Sequence, residues 1–331
     1  MRKKEGISIR DISNISGYSI ATVSRVINNT GRVSDETRAK IRRIMQETGY
    51  VPDLVGKGLR TNITALIGII VPDILVETFA EMIRHAQRQL QSMGIMTSVC
   101  VTDNTSETAQ SYVDMLRSQR ASGIIYVPEY NSTGISTYGL PVVYTFLLPP
   151  WETGENSCAV ISDRRGGGYL ATKTLLDAGC RNIGIFYEQR WYAADAYLGY
   201  ADALRERGLP IEAKNEIYTH ALYTSRAREL TRELLKGDFP FDGLVATSPR
   251  ITIGVLSALL ESGRRIPDDI RLVGFGGIRA RDYGLLQLPL VREPVPAMAK
   301  AAVDSLLAMI DGKAPVEKRQ VFPVELLDTP S

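Results

Sequence analysis

The 331-residue sequence has little of what several large protein classes require. It holds three cysteines, Cys100, Cys158 and Cys180, odd in number, scattered, and without a C-x-x-C pair. That excludes a disulfide framework and leaves reduced, mostly buried thiols as the expectation. His85 and His220 are the only imidazoles, too few for a Cys/His zinc site, so neither a metal nor a cofactor is expected. No run approaches the roughly 18 consecutive apolar residues of a membrane span. The opening MRKKEGISIRDIS is basic but lacks the apolar segment of a signal peptide, so a cytoplasmic chain with no membrane partner is expected. There is no phosphate-loop, G-x-S-x-G or H-E-x-x-H motif, and Gly166-Gly167-Gly168 lacks dinucleotide spacing. An enzyme is therefore not expected. Net charge is nearly absent too, with 39 Lys+Arg against 37 Asp+Glu, a total of +2.

That small total hides a division. Residues 1–61 hold twelve Lys/Arg and six Asp/Glu, a net +6, and the rest hold 27 and 31, a net −4. A basic head on a mildly acidic body suggests a polyanion-binding module joined to something else. Within the head, Ser8 with Asp11 three residues on is a capping signal, and Ile9, Ile12 and Ile15 are expected on one helical face. Gly17-Tyr18 breaks that helix. Ser19 caps a second, with Val23, Val26 and Ile27 inward. Ser34-Asp35-Glu36 opens a third, with Ile41, Ile44 and Met45 inward, ending at Gly49. Two short helices joined by a tight glycine turn, closed by a third, form a helix-turn-helix, whose second helix enters the major groove by its N-terminal end.

The segments Ser8-Ile9-Arg10-Asp11-Ile12, Ala21-Thr22-Val23-Ser24-Arg25-Val26-Ile27-Asn28, Val33-Ser34-Asp35-Glu36-Thr37-Arg38 and Gly49-Tyr50-Val51-Pro52 resemble the headpiece of the LacI/GalR family of bacterial transcription regulators. The resemblance covers the whole head. It implies that Ile20, Ala21 and Arg25 face base edges while Thr22, Ser24 and Asn28 contact phosphates. Ser8 and Ser19, at helix starts, join the phosphate set. The chemistry agrees, since Arg can pair bidentately with guanine and small apolar groups suit a thymine methyl, while hydroxyls and helix N-termini suit phosphate. The resemblance also places a hinge helix at 51–62, with Leu59 as a wedge in the minor groove. Gly56 and Gly58 depart from a helix-forming hinge, each costing about 1 kcal/mol relative to alanine. A hinge that folds only on DNA is therefore expected.

From residue 63 short apolar runs alternate with amphipathic segments, the pattern of βα units around parallel sheets. Expected strands are 65–71, 97–101, 123–127, 142–146, 183–187, 243–246 and 270–275. Expected helices are 79–93, 108–119, 168–177, 194–207, 225–235, 252–262 and 297–310. Gly68-Ile69-Ile70-Val71-Pro72-Asp73, Gly167 to Thr172, Gly199 to Leu204, Val273-Gly274-Phe275 and Arg292-Glu293-Pro294-Val295 extend the family resemblance through this body. The implied class is α/β: a three-helix headpiece (1–50), a hinge helix (51–62) and a two-lobed, periplasmic-binding-protein-like core (63–331). One lobe is expected to comprise about 63–161 plus 293–318, the other about 162–292 plus 319–331. A homodimer using the helix at 79–93, and operator DNA as partner at the nucleoid, follow from the same resemblance.

Family members that bind sugars place carboxylates at the strand ends. Here Phe146 stands for a strand-end Asp, Arg164 for an Asn beside the retained Asp163, Ala196 for an Arg, and Gly276-Gly277 for an acidic pair. Arg164, Arg250 and Arg190, with Phe79, Phe146 and Trp191 as apolar walls, suggest a small anionic effector such as a sugar acid or phosphorylated metabolite. Three alternatives stay open: arginines that are structural, with some other ligand in the pocket; a degenerate pocket controlled by a protein partner; and a solute-binding protein without a regulatory role. Repression of a near-palindromic operator is the family-implied outcome.

Overall fold

The computed structural model describes residues 7–28, 30–50, 66–129, 132, 134–148, 154–188, 190–219, 223–276, 287–315 and 317–327. The side chains of residues 28 and 190–194 lie outside that description. The chain divides into two units, Met1–Thr64 and Ala65–Ser331.

In the first unit α1 (Ile9–Ser16), α2 (Ile20–Asn28) and α3 (Asp35–Thr48) enclose Ile12, Val23, Val26, Ile41 and Ile44. Ser8 starts α1 with a reciprocal cap. Its hydroxyl accepts from the Asp11 N–H at 3.4 Å, and the Asp11 carboxylate accepts from the Ser8 N–H at 2.8 Å. Hydrogen bonds from Ser8 hold the Asp11 carboxyl below the usual carboxylate range. Ile15 does not join the core as expected and is 56% exposed. The buried stripe of this short helix runs through Ile12 and Ser16, at the i,i+4 spacing, and Ile15 lies off it.

The second unit contains two six-stranded sheets. The first is built from β1 (Leu66–Val71), β2 (Met96–Val101), β3 (Gly123–Tyr126), β4 (Val142–Thr145), β5 (Ser157–Ser162) and β11 (Arg319–Phe322), ordered β11-β5-β4-β3-β1-β2 and parallel throughout. Parallel strands covered on both faces read as unbroken apolar runs, and β1 shows why. Ile67, Ile69 and Val71 face α4 (Glu77–Ser92) and α10 (Val295–Ile310), whereas Ile70 faces α5 (Ser106–Ser118). The second sheet comprises β6 (Ile183–Tyr187), β7 (Glu216–Tyr218), β8 (Gly243–Ala246), β9 (Arg271–Phe275), β10 (Leu290–Arg292) and β12 (Glu325–Leu327), ordered β12-β10-β9-β8-β6-β7. Only β12 runs antiparallel, against β10. One face carries α6 (Arg164–Asp177) and α7 (Arg190–Glu206), the other α8 (Thr224–Lys236) and α9 (Pro249–Glu261). α6 and α7 cross through Gly168 and Gly199: a Cβ on either would stand 1.9 Å from a carbonyl oxygen of the facing helix, Ala196 or Arg165 respectively.

The chain passes between the lobes three times, near residues 163, 293 and 323. The third passage corrects the expected boundary at 318/319, because Arg319–Phe322 pairs in register with Ala159–Ser162 and so belongs to the first lobe. The three passages are tied together: the Asp163 N–H donates to the Phe322 carbonyl at 2.8 Å, and the Ser162 hydroxyl donates to Glu293 at 2.5 Å. Cys100, Cys158 and Cys180 are free and buried, and burial raises each thiol's pKa. Among the described residues no helix is long and apolar enough to cross a membrane, and no His/Cys/Asp/Glu group could hold a metal.

Candidate functional site

Two regions bring sequence-expected site residues together. The first is the outward face of α2. Val23 and Val26 are buried at 0% and 2% exposure, which turns Ile20, Ala21 and Arg25 to solvent and leaves Thr22 and Ser24 half-buried. A 3.6-residue period produces this division without any special device. Ser19 caps the helix, its hydroxyl accepting from the Thr22 N–H at 3.2 Å and lying 3.0 Å from the Thr22 hydroxyl. The helix start therefore presents N–H groups and two hydroxyls together, the arrangement that suits an anionic oxygen. Gly31 leaves room for the Arg25 stem: a Cβ there would stand 3.2 Å from Arg25 Cδ. The Ser8 hydroxyl donates to Asp11 at 2.7 Å, so its expected phosphate role competes with its capping role. The Asn28 side chain, Leu59 and the hinge at 51–62 lie outside the described residues.

The second region is the cleft between the lobes, at the C-terminal ends of the parallel strands, where ligands sit in such sheets. Phe79 on α4 and Phe146, one residue past β4, supply its first-lobe wall with ring centroids 5.3 Å apart. Phe146 adopts φ 66°, a left-handed conformation costly for an aromatic residue, and is 3% exposed. Phe275, at the end of β9, lines the second-lobe side, with the Arg164 guanidinium 5.6 Å from its ring centre. The space left between these walls is about 30 Å³, room for a water molecule.

Arg164 and Arg250 both lie beside the cleft, but they are not bare. Arg164 is buried, 3.8 Å from Glu293, and donates to the Thr247 carbonyl at 2.9 Å. Arg250, on the first turn of α9, forms an ion pair across the cleft with Asp73. The expected cleft stripped of carboxylates is thus corrected. The acids stand one or two residues past the ends of β1, β6 and β10, as Asp73, Glu188 and Glu293, rather than at the positions compared in the sequence. Glu188 carries the clearest anomaly. It is 2% exposed, and neither carboxylate oxygen makes a well-formed hydrogen bond among the described residues, although the Ser248 hydroxyl is near enough to favour its charged form. Burial pushes its carboxyl up to about 7, against the opposing pull of the Ser248 hydroxyl and of Arg164 and Arg250. Asp163 lies at the lobe crossing and caps α6, its carboxylate accepting from the Gly166 N–H at 2.8 Å. The side chains of Arg190 and Trp191 lie outside the described residues. Position immediately beyond a parallel strand was the signal that could have found Glu188.

Residues 8–53 match the family described as bacterial regulatory proteins, lacI family, and residues 172–328 match the periplasmic binding protein-like domain. The chain is 28% identical to the ribose operon repressor of Halalkalibacterium halodurans, over 97% of this chain and 95% of that protein. It is 28% identical to the HTH-type transcriptional repressor PurR of Glaesserella parasuis, over 92% and 90%. Among solved structures, the Lac repressor dimer bound to operator and the anti-inducer ONPF superposes with a TM-score of 0.79 at 21% identity, covering 98% of each chain. These relatives are DNA-binding regulators, not enzymes.

Proposed function

We propose that this chain, which belongs to the LacI family of bacterial regulatory proteins, is a cytoplasmic transcriptional repressor acting on operator DNA at the nucleoid under the control of a small molecule bound between its two core lobes. The observation that carries the proposal is the outward face of α2, with Ile20, Ala21 and Arg25 exposed over a fully buried Val23. Arg25 reads guanine through its paired donors, and Ile20 and Ala21 select thymine methyls by contact. Thr22, Ser24 and the N-terminal N–H groups of α2 hold phosphates and set the register, joined by Ser8, Ser19 and Asn28. Leu59 wedges into the minor groove from the 51–62 hinge.

Two copies acting together account for a near-palindromic site, with half-sites spaced by the helical repeat. In the core, β2 is an edge strand that leaves Met96 and Val99 exposed, with Met93 just before it, and we assign this edge to the homodimer. The apolar side of α4, by contrast, is taken up inside its own lobe by α10. Opening and closing of the lobes about the 163, 293 and 323 passages couples the cleft to the DNA-bound state. Switching occupancy from nearly full to nearly empty requires the effector to prefer one state by roughly 5.5 kcal/mol. The test is selection of bound duplexes from a random pool by the purified full chain. A single enriched sequence with inverted half-sites is expected. Enrichment of no sequence, or of an asymmetric one, would overturn the proposal.

A further inference from the structure

The chemical class of the cleft's ligand follows from what the cleft lacks. Three of its four described acids are already answered: Asp73 by Arg250, Glu293 by Arg164 and the Ser162 hydroxyl, and Asp163 by the Gly166 N–H at the start of α6. Glu188 is not. It is buried, neither of its oxygens makes a well-formed hydrogen bond among the described residues, and it faces Arg164 from α6, with Arg250 and the Ser248 hydroxyl from the start of α9 as its nearby polar groups. Each of those arginines is committed elsewhere, to Glu293 and the Thr247 carbonyl in one case and to Asp73 in the other. Among the described side chains, Glu188 is therefore the acid of the cleft that no ion pair or cap engages. A buried polar group without a partner is a standing cost, which a donor from a ligand removes.

An anion bound here would set a second negative charge beside Glu188 in a low-dielectric space, and a neutral molecule would leave the Glu188 charge unmatched. A cation matches it. The remaining walls suit the same choice, because Phe79, Phe146 and Phe275 offer apolar surface and ring faces that attract a positive charge. We propose that the cleft is a site for a small molecule carrying a protonated nitrogen and an apolar face, with Glu188 as the residue that selects for the nitrogen. The proposal rests on the cleft being the effector site and deepens that reading. It replaces the anionic effector expected from the sequence. Since the space between the walls is only about 30 Å³, the ligand enters with the lobes parted and the Asp73–Arg250 pair broken, and holds the lobes further apart than they stand here.

The coupling to pH has a definite sign. Ionised Glu188 receives the ammonium and protonated Glu188 does not, so affinity rises with pH. With the carboxyl near 7 and the ligand charged throughout, the gain from pH 6 to pH 8 is about tenfold.

The experiment uses the full chain and three probes that share one ring and differ in charge: benzylamine, benzyl alcohol and benzoate. Binding is read by calorimetry at pH 6 and pH 8 on the wild type and on Glu188→Gln, with thermal melting to show that the variant folds. Benzylamine is expected to bind at least tenfold tighter than the other two at pH 8 and to weaken at pH 6, and Glu188→Gln should lose both preferences. Tightest binding of benzoate, equal binding of the three, binding of none, or an unchanged preference in a folded variant would overturn the proposal. Each of these outcomes leaves duplex selection by the headpiece unaffected, so failure here is distinguishable from failure of the regulatory assignment.

Discussion

Glu188 ties stability to pH as well as binding. Its carboxyl lies near 7 in the folded chain, against an ordinary value of 4.5. Between those values the native state holds a proton that the unfolded chain has released. The contribution is therefore fully present below pH 4.5 and lost as pH rises through 7. The loss is on the order of 3 kcal/mol. Melting curves of wild type and Glu188→Gln at pH 5 and pH 8 should diverge, the wild type losing more on going to pH 8. Parallel curves would count against a carboxyl whose titration is raised by burial. In the headpiece, Arg25→Ala should reduce discrimination between the selected duplex and a scrambled one by about 1–3 kcal/mol while leaving salt-sensitive background binding in place, a difference that competitive titration reads directly. Arg25, Val23 and Val26 were legible as side chains because helical periodicity separates them. The carboxylates of the cleft were not. Substitution at familiar positions reveals what is missing there, whereas an acid that reappears one residue past a strand end is visible only once the strand end is known.

Elements with a strong period and clear punctuation were legible. α2 and α3 begin at Ser19 and Ser34 as their capping serines require, and β1 is a continuous apolar run covered on both faces. β5 escaped notice because Ser157-Cys158-Ala159-Val160-Ile161-Ser162 mixes small and polar residues, although every position is buried between β4 and β11. Strands of three residues, such as β7, β10 and β12, are too short to display a period. The Gly166-Gly167-Gly168 run reads in sequence as a loop at the start of the helix expected from residue 168. In the structure it lies within α6, where Gly168 faces Gly199 of α7 at a crossing too close for side chains. Gly168→Val should accordingly force the helices apart and lower the melting temperature of the core sharply, whereas Gly179→Ala, where no atom lies within 4 Å of a Cβ, meets only backbone strain at φ 95° and should cost less. The hinge carries a prediction of opposite sign. Replacing Gly56 and Gly58 together by alanine removes about 2 kcal/mol of helix-forming cost per chain and should raise affinity for the selected duplex. Unchanged or weaker binding would contradict a hinge that folds on DNA.

At the scale of the molecule, the near-neutral total charge averages two units with different work. The +6 head carries the groups proposed to meet phosphate, and the −4 remainder forms two lobes whose parallel sheets aim their strand ends at one cleft. The alternation of strands and helices made the two-lobed core legible. The exchange of tails was harder to place, since only the pairing of β11 with β5 and of β12 with β10 shows the chain crossing near residue 323. The central claim is that the head binds operator DNA specifically and electrostatically. It is tested most directly by titrating the full chain against its selected duplex and a scrambled control over a series of salt concentrations. Affinity for both duplexes should fall steeply with salt, as counterions released from several phosphates require, and the selected sequence should be preferred at least about a thousandfold. A shallow salt dependence with equal affinity for the two duplexes would contradict the claim.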